Sequence, residues 1–188
     1  AQGMLKDSNI KSDQVEMLNK LGIYMNYNGY GSDVSDLHFA PAELYKLVYE
    51  YENPVDFIVD SNQHFEKLES GYHQDFTSVQ ALAPLRVNKS NAVYMLPDTP
   101  WARRVSGVFS NDLTNRYPDR AHAVVTEKSN GGYLVSVRAP LSNKHGASKL
   151  CGEFPTGGGR EAAAGINDLA ADQLSIFIDK FEQTYRSC

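Results

Sequence analysis

The hydrophobic period of this chain changes near residue 82, and that change constrains its fold more than any other feature. Before it, apolar residues recur every three or four positions, the spacing of one helix face. After it, short apolar runs lie between turn signals, the signature of strands. Residues 12–22 (SDQVEMLNKLG) place Val15, Leu18 and Leu21 near helical spacing, with Gly22 as a stop signal. The polar, glycine-containing run NYNGYGSDVSDLHF reads as a loop. Pro41 opens a second helix, in which Leu44, Leu47, Val48 and Tyr51 fall at i, i+3, i+4 and i+7. After Asn53-Pro54, Val55, Ile58, Phe65, Leu68, Tyr72, Phe76 and Val79 form one stripe interrupted only at Asn62, which predicts a long helix able to pack on two parts of a molecule.

Beyond residue 82 the runs 83–87 and 92–96 flank Asn88-Lys89-Ser90-Asn91, a hairpin signal. Thr99-Pro100 predicts a helix start, with Thr99 as N-cap and with Trp101, Val105, Val108 and Phe109 on its buried side. AHAVVTE and GYLVSVRA, joined across KSNGG, predict two adjacent antiparallel strands. A short helix over 146–153, a strand in AAAGIN and a last helix with Leu174, Phe177, Ile178 and Phe181 on one face complete the chain. The expected class is α/β (α+β): a mixed sheet of about five strands flanked by helices, preceded by a helical linker segment.

A chain of 188 residues that is 41% hydrophobic and 22% charged can bury a real core. Cys151 and Cys188 make neither a disulfide framework nor a zinc site and predict reduced thiols in a cytoplasmic protein. No run approaches the length of a membrane helix. Ala1-Gln2-Gly3 precedes Met4, an opening that reads as a cut piece of a longer chain. The net charge of -5 is unevenly spread: residues 1–80 carry five basic against thirteen acidic side chains, 81–160 eleven against five, and 161–188 two against five. The basic stretch ends at FPTGGGREAAAGIN, and such a local field suits a phosphate-bearing ligand.

In that stretch Gly157, Gly158 and Gly159 run into Arg160. Side-chain-free residues let backbone N–H groups approach phosphate oxygens, and an adjacent guanidinium adds a charge-assisted contact. The spacing matches neither a Walker loop nor a dinucleotide fingerprint, and a tight packing turn explains it equally well. In YLVSVRAP, alternation puts Ser136 and Arg138 on one strand face, where a hydroxyl and a guanidinium could meet a phosphate; an edge arginine in solvent is the ordinary alternative. His145 stands in the loop before the short helix, within reach of a phosphate or a carboxylate, or simply exposed. Arg103 and Arg104 could widen a basic surface. Asp33, Asp36 and His38 invite a metal reading that Asx-turn chemistry explains more cheaply, and Asp60 with His64 reads as a solvated face. No activated nucleophile with a partnered histidine is apparent.

VSVRAP, a loop and short helix, then EFPTGGGREAAAGIN and a closing amphipathic helix resemble, over residues 82–188, the DHH-associated C-terminal domain of the DHH phosphoesterases. That family takes in RecJ-type single-strand exonucleases, oligoribonucleases, exopolyphosphatase-like proteins and the C-terminal part of alanyl-tRNA synthetases. The resemblance implies a two-domain, manganese-dependent enzyme whose smaller domain binds substrate through the glycine motif and a strand arginine. Residue by residue, it assigns Gly157, Gly158 and Gly159 to the phosphate end and Arg138 to the strand arginine. Many members have a histidine after the glycines where this chain has Arg160, and no Asp-His-His triplet or Asp-x-Asp motif occurs in the sequence. The resemblance therefore implies that residues 1–53 are the helical tail of a catalytic domain, 54–81 a linker helix, and 82–188 the substrate-binding domain. On that basis manganese belongs to the remaining catalytic domain, with no cofactor in this chain. The expected partners are that domain and an oligonucleotide or nucleotide, without a membrane, and self-association stays open. Two other readings are a stand-alone RNA- or nucleotide-binding module and a metal-dependent hydrolase complete in these residues.

Overall fold

A computed structural model of the chain describes residues 11–60 and 62–186. It divides between Gln74 and Asp75 into two compact units.

In the first unit, helices α1 (Ser12–Tyr27), α2 (Pro41–Tyr49), α3 (Pro54–Asp60) and the start of α4 (Asn62–Gln80) share one core. Leu21 and Tyr24 from α1 meet Phe39, Leu44, Phe57, Ile58, Phe65 and Leu68 there. Gly22 does not end α1. It is exposed with nothing near it, and burial of Tyr24 and Tyr27 one turn later outweighs the ~1 kcal/mol that a helical glycine costs. The following loop is held by the buried Asn28 amide, which donates to Phe39 O at 2.9 Å and accepts from the His38 and Phe39 N–H groups at 3.0 and 3.1 Å. The expected stripe over 54–81 lies on α3 and α4; Ser61 between them is outside the described residues, as are residues 1–10 and Cys188.

The second unit is built on a six-stranded sheet in the order β1-β2-β3-β4-β6-β5. Its strands are β1 (Arg86–Val87), β2 (Asn91–Leu96), β3 (Ala121–Glu127), β4 (Tyr133–Arg138), β5 (Gly157–Arg160) and β6 (Ala163–Leu169). The class is the expected mixed α/β, with six strands where the sequence predicts about five. Only β2 and β3 are parallel, and helix α5 (Pro100–Arg116) makes the crossover that such a pair requires. The KSNGG turn joins β3 and β4 as an antiparallel pair, matching the sequence expectation.

One sheet face carries the core. Val93, Ala123, Val125, Val135, Val137, Ala164 and Ile166 pack with Leu150 and Cys151 of α6 (Ala147–Cys151) and Phe177, Ile178 and Phe181 of α7 (Leu174–Thr184). Cys151 is a buried free thiol whose pKa burial pushes up to about 12, so it is no nucleophile. The opposite face is covered by α5 at β3 and β4. That helix buries Ser106, Ser110 and Thr114, whose hydroxyls donate to the Arg103, Ser106 and Ser110 carbonyls at 2.9, 2.8 and 2.9 Å. Two expectations for α5 are corrected. Thr99 occupies the N-cap position but its side chain caps nothing, and Trp101 is only half-buried because Ala102 and Val105 take the inner face.

Candidate functional site

Strand alternation decides which glycines of the strip face what. Gly157 and Gly159 pair with Ile166 and Ala164, residues of the packed face, whereas Gly158 pairs with Gly165 and Arg160 with Ala163. An added Cβ at Gly157 would stand 1.8 Å from the Cys151 carbonyl oxygen, so that glycine is required for β5 to lie against α6. Its N–H is also committed, donating to Phe154 O at 2.9 Å. Gly159 has φ 144°, and a Cβ there would fall 2.5 Å from Ala164 Cα. Gly158 is different: nothing lies within 4 Å of its Cβ position. Packing demands two of the three glycines and leaves Gly158 bare on the open face.

The same face continues through β6 into β4, where Ser110 and Asn111 of α5 lie against it. In register, Gly158 is followed by Gly165 and Ser136, and Arg160 by Ala163 and Arg138. Two cross-strand rows result, one floored by glycines and ending on a hydroxyl, the other bracketed by arginines. Two strand spacings separate the arginine backbones by roughly 10 Å. Ser136 and Arg138 do share a face, and they touch: Arg138 Nη1 donates to Ser136 Oγ at 2.9 Å and to Val137 O at 3.2 Å. Arg138 Nε donates to Asn111 Oδ1 of α5 at 3.2 Å. Arg160 is exposed, and Gly165 and Ala163 between the arginines are only partly covered.

His145 lies at the same end of the sheet. Its Nδ1 is 3.7 Å from Glu161 Oε2 in the β5–β6 turn, so the structure gives it a carboxylate neighbour beside Arg160. The other sequence candidates are placed elsewhere. Arg103 pairs with Asp98, and Arg104 makes a two-pronged pair with Asp75 at 2.8 and 3.1 Å, both side chains nearly buried. They hold structure together rather than widen a basic surface. Asp36 Oδ2 accepts from the Ser32 and Asp33 backbone and the Ser32 hydroxyl, Asp33 Oδ1 from Ser35 N, and His38 Nε2 meets Tyr27 OH at 2.8 Å. Those contacts are turn chemistry. His64 packs edge-on against Phe39.

Two residues of this neighbourhood escaped the sequence reading. Asn111 sits on a helix 27 positions before the arginine it holds, with no local signal. His122 is directly opposite Arg138 in register and fully buried, and neither ring nitrogen has a hydrogen-bond partner among the described residues. Burial, and then the Arg120 charge, lower its pKa from 6.5 to about 4, so the ring is neutral.

No protein-family model matches the sequence, and no curated protein matches it significantly. Solved structures do. A DHH domain from a member of the s1p family of ribosomal proteins aligns with TM-score 0.57 at 10% identity, over 95% of this chain and 43% of that one. RecJ from Thermus thermophilus in complex with Mn2+ gives TM-score 0.54 at 14% identity, over 90% and 27%. The fold is that of DHH-family proteins. The pGpG-specific phosphodiesterase PggH from Vibrio cholerae gives TM-score 0.50 at 12% identity, over 96% of this chain and 64% of PggH. This chain thus spans between about a quarter and two thirds of these DHH-fold proteins. No helix among its described residues is long and apolar enough to cross a membrane.

Proposed function

We propose that this chain is the substrate-binding part of a DHH-type phosphoesterase and takes a nucleotide or short oligonucleotide by its phosphates. One observation carries the reading: Arg138 and Arg160 bracket Ala163 in a single cross-strand row, beside Gly158, whose Cβ direction is open, and Gly165, whose Cβ direction is closed by the Val135 carbonyl oxygen at 2.7 Å. Bare floor and flanking guanidiniums suit a phosphate chain lying across the strands, with Arg160 offering forked donors and Arg138 bringing a held positive charge. The DHH fold shared with RecJ and PggH supports this class of ligand over other anions.

The hydrolytic step belongs, in this reading, to manganese in a catalytic domain. The described residues do not fit the metal. No group of three or more His, Cys, Asp or Glu could hold an ion among them, and the carboxylates of DVSDLH are occupied by turn N–H groups. These residues bind and orient the phosphates.

Fluorescence anisotropy with a 3′-labelled, 5′-phosphorylated RNA dinucleotide tests the reading. Arg138→Ala and Arg160→Ala each remove one charge-assisted contact, about 1.5–3 kcal/mol, and weaken binding about 10- to 150-fold. Affinity unchanged in both variants places the ligand elsewhere.

A further inference from the structure

The long side chain of Arg138 is held by groups from two elements, its own strand β4 and helix α5. Its Nε–H meets Asn111 Oδ1 at 3.2 Å, and its Nη1 meets Ser136 Oγ at 2.9 Å and Val137 O at 3.2 Å. The Ser136 hydroxyl is in turn 3.4 Å from Ser110 Oγ, whose own hydrogen goes to Ser106 O at 2.8 Å. Contacts at Nε and Nη1 together fix the plane of a guanidinium. Because arginine only donates, Asn111 must present its oxygen to Arg138, which turns the amide NH2 away as a donor. Asn111 is exposed, on the helix flank beside β4.

We infer that Asn111 is a positioning residue: it sets the guanidinium of Arg138 over the Gly158–Gly165 floor, so that α5 and the sheet together define the phosphate site. The inference rests on the binding role proposed for Arg138. An unheld arginine must give up its side-chain freedom when the ligand arrives, and that loss appears as weaker binding.

The test is a double-mutant cycle with the same labelled dinucleotide on the full chain. Asn111→Ala weakens binding about tenfold with an unchanged melting temperature, and has no further effect when added to Arg138→Ala. In 1H-15N spectra the Arg138 Nε–H exchanges faster with water in Asn111→Ala and stays protected in Asn111→Asp, which keeps the acceptor. Asn111→Ala binding like wild type, or an equal additional loss in the Arg138→Ala background, overturns the inference while leaving the binding role intact. Arg138→Ala without effect overturns the binding role and the inference with it.

Discussion

Replacing Gly157 and Gly158 separately by alanine separates the structural from the exposed part of one glycine strip. At Gly157 the new methyl would stand 1.8 Å from the Cys151 carbonyl oxygen, 2.6 Å from its carbon and 3.2 Å from Phe154 O, where ordinary contact begins at 3.4 Å. A gap of about 1.6 Å must therefore open between β5 and the end of α6. The obstacle is backbone anchored by the buried Leu150, Cys151 and Phe154, so it cannot rotate aside. Overpacking of this kind costs up to about 3 kcal/mol and occasionally more. For a chain of this size that is a melting-point drop of roughly 6–12 °C. At Gly158 nothing lies within 4 Å, and alanine there restricts only the unfolded chain, so stability holds or rises by up to about 1 kcal/mol. The Gly158 methyl does stand on the face shared by Ser136 and Arg138, and dinucleotide binding weakens without loss of fold. Urea unfolding followed by circular dichroism, with anisotropy on the same samples, reads both effects. Equal stability changes at the two positions, or Gly157→Ala within 0.5 kcal/mol of wild type, refute the facing derived from strand alternation.

Buried His122 makes stability pH-dependent with a fixed sign. The folded ring stays neutral to about pH 4 while an unfolded histidine takes its proton near 6.5, so stability is steady above pH 6.5 and declines between 6.5 and 4, by roughly 3 kcal/mol at most. His122→Leu removes an unpartnered polar ring and flattens that limb of the urea midpoint; an equally steep decline in the variant contradicts the assignment. Arg104→Met takes the guanidinium from the nearly buried Asp75 carboxylate and lowers unfolding free energy by about 3–5 kcal/mol, most of it restored in Arg104→Met/Asp75→Leu. A loss below 1 kcal/mol in the single variant shows that the pair is solvated.

Much of the fold is legible in the sequence because period and punctuation are local. The stripes on α2 and α7, the Asn88–Asn91 turn and the KSNGG hairpin need only neighbouring residues, and each is where its pattern puts it. What is not legible depends on distant partners. Gly22 carries a stop signal, yet the helix continues because Tyr24 joins a core with α2–α4 and Tyr27 is buried against Tyr72. Arg104 looks like a surface cation until Asp75, 29 positions earlier, comes beside it. In the candidate site, Ser136 and Arg138 sharing a face follows from alternation alone. That Gly157 serves Cys151 while Gly158 serves the open face follows only from the register of β5 on β6. Asn111 has no signature at all, since its role exists only once α5 lies along β4.

We propose that a phosphate-bearing ligand lies on the face formed by Gly158, Gly165, Ala163, Ser136 and the two arginines. Titration of the 15N-labelled chain with the 5′-phosphorylated dinucleotide tests it most directly. The largest amide shifts then fall on Gly158–Arg160, Ala163–Gly165 and Ser136–Arg138, with the Arg138 Nε–H moving alongside them. Saturable shifts confined to other elements, with these residues still, would contradict it.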